Sequence, residues 1–190
     1  DPATPIDAYR HDVFDARSGA PPSAMAIAQT ADGWLWFGTP SGLYRYDGVR
    51  FEAFQGAPGE RLLGRFITML APRPNGELWI GYLYGGMSVL RQGRLQHVAV
   101  MPAQPVGQAH AVAFDGDDVW VASSTGFWRY RDGAWTRADV GMGLPGNKSR
   151  FILRDGYGRL WATDERTVYL FDRAAGRFRP ALAVGIDANI

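Results

Sequence analysis

The chain has 190 residues, 46% of them hydrophobic, and its 20 basic and 19 acidic residues leave a formal charge of +1. That length and apolar content allow a sizeable core, while the balanced charge gives no electrostatic reason to expect nucleic acid or an anionic membrane surface as a partner. Without a cysteine there is no disulfide framework, no thiolate zinc site and no cysteine nucleophile. No apolar run approaches the length of a membrane span, and no basic and apolar leader opens the chain. Because the sequence begins Asp1-Pro2-Ala3, we expect a trimmed or processed piece of something longer. Twelve prolines and 24 glycines suit a protein that turns every eight to twelve residues or so.

In chain order, residues 1–6 read as a lead-in. Residues 7–14, containing Ala8-Tyr9-Arg10-His11-Asp12-Val13-Phe14, read as an outer strand left over from another unit, of the kind that pairs with the last unit and closes a ring against exposed edges. After a loop comes the first complete unit, 23–54. An inner strand leads to the Asp32-Gly33 turn, then Leu35-Trp36-Phe37-Gly38-Thr39, a turn at Pro40-Ser41-Gly42, Leu43-Tyr44-Arg45-Tyr46, the Asp47-Gly48 turn and a last strand to Phe54. Three turns joining four short β-branched and aromatic runs make a four-stranded antiparallel sheet.

The pattern then repeats in 65–100, 108–137 and 149–179, and 181–190 reads as the opening of a further unit. The tryptophans that mark the second strand stand at 36, 79, 120 and 161, in steps of 43, 41 and 41 residues. A period of about forty residues with a glycine and aromatic signature predicts an all-β protein built of β-propeller blades, about four complete and partial units at both ends. Tryptophan at one fixed place in every unit is expected to be core wedged between blades, since a stacking platform for a base or sugar would not need it there each time. Four units are few for a closed ring, and an unfinished array exposes the faces of its terminal blades. The expectation is self-association through open edges, a compact small ring, or further chain.

On the residues 32–51, and on Asn75 to Gly81 for the first half of the phrase, the chain resembles the two-component regulator propeller repeats of bacterial sensor proteins. The resemblance covers about 12–180 and weakens along the chain: Val-Ala-Ser replaces Ile-Gly-Thr in the third unit, and Arg166-Thr167-Val168 replaces the Gly-Leu turn in the fourth. It implies a periplasmic sensor region of a membrane-anchored receptor, with any kinase or cyclase output outside this chain and no catalysis within it.

Chemistry within the chain is sparse. His11, His97 and His110 have no metal-ligand spacing, and no metal or cofactor is expected. The acid pairs Asp117-Asp118 and Asp164-Glu165 are poor catalytic dyads, because neighbours on one strand point to opposite faces, and they read as turns. Gly56-Ala57-Pro58-Gly59 and Gly141-Met142-Gly143-Leu144-Pro145-Gly146 lead into no helix that could present amides to a phosphate. Alternating strand direction brings the loop before each inner strand and the loop between the second and third strands to one face. That face collects Arg65, Tyr82, Tyr84, His110, Ser123, Ser124, Lys148, Arg150, Asp164 and Glu165 as candidate ligand-binding residues, a mixture suited to a sugar or a small anionic metabolite. Three functions follow: a non-catalytic sensor binding a periplasmic small molecule or protein, a propeller lyase using His110 and nearby acids, or a scaffold for other chains.

Overall fold

The computed structural model describes residues 5, 8, 9, 12–101, 103 and 106–183. Sixteen strands form four separate four-stranded sheets, each a meander in chain order. Blade 1 contains β1 (Ala26–Gln29), β2 (Leu35–Thr39), β3 (Gly42–Tyr46) and β4 (Phe51–Ala53). Blade 2 contains β5 (Ile67–Pro72), β6 (Leu78–Tyr82), β7 (Met87–Arg91) and β8 (Arg94–Ala99). Blade 3 runs through β9 (Ala109–Asp115), β10 (Asp118–Ser123), β11 (Gly126–Arg131) and β12 (Ala134–Ala138), and blade 4 through β13 (Phe151–Arg154), β14 (Leu160–Thr163), β15 (Thr167–Asp172) and β16 (Arg177–Ala183). All pairings are antiparallel. No helix among the described residues is long and apolar enough to cross a membrane.

Turn chemistry sets the meander. β7 and β8 are joined by Gln92-Gly93 and β11 and β12 by Asp132-Gly133, two-residue loops in which both residues have positive φ (49° and 75°, 50° and 81°). That backbone matches the right-handed twist of a hairpin. Two ends of the array differ from the sequence reading. The described part of 7–14 lies in no strand: the Ala8 N–H donates to the Pro5 carbonyl in a turn and residues 12–14 belong to no sheet, while Asp7, Arg10 and His11 fall outside the described residues. Residues 181–183 do not open a new unit; they complete β16, where Ala183 pairs with Thr167.

The inner strands β1, β5, β9 and β13 pack against one another in that order, so the blades fan from a common inner side. The glycine two residues after the tryptophan permits this approach. A Cβ on Gly38 would stand 2.6 Å from Ile67 Cγ2, and one on Gly81 would stand 3.2 Å from Ala109 Cβ. Each contact is made by the inner strand of the following blade.

Three apolar clusters fill the gaps between blades: Ala28, Trp36 and Leu43 against Ile67, Leu78 and Ile80; Met69 and Trp79 against Val119, Val121 and Trp128; Trp120 and Phe127 against Ile152, Leu160 and Phe178. Four blades thus share three interfaces among the described residues, which is the count of an open arc. Trp36, Trp79 and Trp120 are 5%, 3% and 1% exposed, and each faces the next blade. Trp79 meets Phe114 and Tyr130, and Trp120 meets Phe171 and Phe178, at ring centroid distances of 5.5–6.2 Å. Trp161, expected to be wedged in the same way, is only partly buried, because no described blade follows it. Phe151 (48% exposed) and Leu153 (39%) share its face. At the other end, Phe14 lies edge-on to Tyr46 and Phe51 and covers part of the outer face of blade 1.

Candidate functional site

The connections before the inner strands and the loops between second and third strands do share one face, but the ten candidate residues divide there into three groups.

The first group holds loops together. Ser123 is buried; its hydroxyl accepts from the Thr125 N–H and donates to the Gly126 carbonyl, as Thr39 does with the Ser41 N–H and the Gly42 carbonyl. Asp164 performs the same task in blade 4, accepting from the Arg166 and Thr167 N–H groups, both at 2.7 Å, and from the Tyr169 hydroxyl. Burial works against its charge, yet those bonds and nearby Lys148 outweigh it and hold the carboxyl below the ordinary aspartate range. Ser124 ties the connection before β9 to this loop: its Oγ accepts from the Gln108 N–H and its N–H donates to the Gln108 carbonyl. Tyr82 is 2% exposed. It donates to Ser88 Oγ at 2.9 Å, which in turn stands 2.9 Å from His97 Nδ1, and burial pushes its phenol up.

The second group is exposed and separate. Tyr84 is 86% exposed in the four-residue loop between β6 and β7. Arg65 lies in the 54–66 connection, where a cavity of about 490 Å³ is lined by Phe54, Gly56, Pro58 and Glu60. No hydrogen bond or ion pair among the described residues joins either to the third group.

That third group comprises His110, Lys148, Arg150 and Glu165, across blades 3 and 4. Glu165 receives Lys148 at 3.4 Å and Arg150 at 3.2 Å. These side chains are roughly half or more exposed, so the pairs contribute little to stability, and Arg150 remains able to turn to a ligand. His110 is exposed as a residue, but partial burial first and the Arg150 charge second pull its imidazole below the ordinary value of 6.5. It is therefore neutral at pH 7, with one nitrogen donating and one accepting.

Sequence reasoning missed Glu77, which lies on the opposite face. It is 2% exposed and borders a cavity of about 670 Å³ between blades 1 and 2, with Asp32, Asn75, Leu78 and Arg91. Its carboxylate accepts from Trp79 Nε1 at 3.1 Å and pairs with Arg91 and Arg73. Burial would raise its pKa, but the Trp79 and Arg91 bonds and the two guanidinium charges outweigh burial and lower it. The signal was present as Glu-Leu-Trp in the second unit, but a lone glutamate after a turn reads as solvated. Among the described residues, no group of three or more His, Cys, Asp or Glu gathers at metal-binding distance.

Four meandering four-stranded sheets fanned about their first strands define a β-propeller architecture. Solved structures agree. The extracellular domain of the hybrid two-component system BT4673 from B. thetaiotaomicron superposes with a TM-score of 0.69 at 22% identity, over 87% of this chain and 22% of that one. A streptogramin B lyase gives 0.62 at 19% identity, over 82% and 53%, and the gluconolactonase XC5397 from Xanthomonas campestris 0.55 at 19%, over 84% and 61%. The chain spans about a fifth of the first of these and about half of the second. No family model matches the sequence, and no curated protein does. At these identities the likeness establishes the fold.

Proposed function

We propose that the chain is a non-catalytic, ligand-binding part of the extracytoplasmic propeller region of a bacterial signal receptor, periplasmic in a cell with two membranes. The observation that carries this reading is the state of the acids on the loop face. Asp164 is committed to its turn and Glu165 to two cations, so both carboxylates are already engaged by the chain itself and neither is left over to act as a general acid or base on a substrate. What the face offers is recognition chemistry: an exposed guanidinium, an imidazole and an exposed tyrosine. The two-component neighbours give the extracytoplasmic, receptor-linked context.

One observation favours a second reading. A neutral imidazole beside a guanidinium, as at His110 and Arg150, is also what a base for a lyase or lactonase reaction would require, and two of the structural neighbours carry those names. Titration of sugars and small carboxylates against the chain, with the ligand followed by NMR, separates the two. Saturable binding with the ligand recovered unchanged supports the sensor; consumption of the ligand, especially if it depends on a divalent metal, contradicts it.

The partner side of the proposal is self-association. The face carrying Phe151, Leu153 and Trp161 corresponds to faces that are covered in the other three blades, and covering it with a second copy removes apolar surface from water.

A further inference from the structure

The strand registers contain a repeated irregularity on the inner side of the arc. In blade 2, Ile67 pairs with Tyr82 and Met69 with Gly81, so Thr68 is an extra residue without a partner of its own. In blade 3, Ala109 pairs with Ser123 and Ala111 with Ala122, which leaves His110 in the same position. Blades 1 and 4 show the equivalent arrangement just before their inner strands. The backbone N–H of Met25 donates to the carbonyl of Gly38, the partner of Ala26, and the backbone N–H of Arg150 donates to the carbonyl of Thr163, the partner of Phe151. Met25, Thr68, His110 and Arg150 therefore occupy one station on four successive inner strands. Such bulges release a side chain from the alternation of the sheet and re-aim it.

Three of these four residues donate hydrogen bonds and none is an acid. Thr68 Oγ1 is shut off from solvent and has no hydrogen-bond partner among the described residues, although Thr68 itself is only partly buried. A buried hydroxyl left in that state calls for an explanation, and a small group entering beside it would supply one. β5 packs on β9 and β9 on β13, so the three donors are on adjoining strands, and His110 is close enough to Arg150 to feel its charge.

Resting on the sensor reading above, we propose that Thr68, His110 and Arg150 form a donor wall on the inner side of the arc that takes the carboxylate of a small organic acid. The fork of Arg150 and an imidazole N–H suit a planar carboxylate, and the Thr68 hydroxyl supplies a further donor. Charge favours a carboxylate over a dianionic phosphate: Lys148, Arg150 and Arg166 against Asp164 and Glu165 leave a single positive charge. Glu165, already shared between two cations, releases Arg150 when a ligand carboxylate replaces it.

The test is calorimetric and NMR titration of the chain with lactate, with inorganic phosphate and methyl glucoside in parallel. The expected result is saturable lactate binding with amide shifts at Thr68, His110 and Arg150. Arg150→Gln should weaken binding about tenfold, and His110→Ala and Thr68→Val about fivefold each, the loss of one hydrogen bond. Thr68→Val should melt no lower than the parent, because it deletes an unpartnered hydroxyl, so its loss of affinity would not be a folding defect. Absence of saturable lactate binding, or an affinity unchanged in Thr68→Val and His110→Ala, overturns the proposal. Binding of methyl glucoside or phosphate in preference to lactate also overturns it, and leaves the sensor reading intact; conversion of lactate to another species would overturn that reading as well.

Discussion

Four tryptophans in one sequence position have four different surroundings, and the differences predict their energetic weight. Trp36 donates to Thr30 Oγ1 at 2.9 Å, Trp79 to Glu77 and Trp161 to Asp155, whereas Trp120 Nε1 is buried with no hydrogen-bond partner among the described residues. Trp120 is nonetheless the most deeply packed, so Trp120→Ala should cost about 3–5 kcal/mol, while Trp161→Ala, on an uncovered face, should cost about 1 kcal/mol or less in the monomer. Urea unfolding curves of the two variants check this; equal costs would mean that Trp161 is covered after all. Glu77 supplies a prediction with a sign. Its folded pKa lies below the ordinary 4.5, so it stabilises the fold fully above that value, and the contribution is lost as pH falls through the lower folded value. Melting temperatures taken between neutral and acid pH should fall less steeply in Glu77→Gln than in the parent. A parallel acid decline in both would show that Glu77 is not the linked group.

The blade is the element that makes the fold readable. Its Trp-x-Gly phrase is legible because each part answers a physical demand: the turn pair needs positive φ, the tryptophan fills an inter-blade gap, and the glycine admits the next inner strand. Gly38→Ala should accordingly cost about 1–3 kcal/mol, since the new methyl meets Ile67, and thermal unfolding reads it directly. Loop chemistry was half legible. A hydroxyl or carboxylate three residues after the tryptophan, in Thr39, Ser123 and Asp164, closes the following loop, yet from sequence Ser123 and Asp164 read as ligand-binding residues because nothing local separates a loop staple from a ligand donor. Tyr82 misled for another reason: its place at a strand end looks exposed, while the connection before β5, at Leu63 and Gly64, and Ser88 of its own blade lie against it. The inner-strand station was legible only in part: His110 and Arg150 stood among the candidates, but not as equivalents of each other or of Thr68. Thr68 is unremarkable in sequence, and its position depends on pairing registers that only the assembled sheet fixes.

At the scale of the whole molecule, counting interfaces carries the argument. A closed ring of four blades has four interfaces; here, among the described residues, three apolar clusters serve four blades, and Phe151, Leu153 and Trp161 at one end are left partly or largely uncovered. The sequence showed the repeat but not which faces lack a neighbour, since every unit carries its tryptophan whether or not a blade follows. The most direct test is light scattering of the chain across a range of concentrations, beside Trp161→Asp. An open arc predicts a mass that rises above the 20.9 kDa of one chain as concentration increases, and a variant that stays at that mass under the same conditions. A parent mass fixed at one chain throughout, with Trp161 fluorescence shielded from an aqueous quencher, would contradict the account, because the four units would then have covered their own ends.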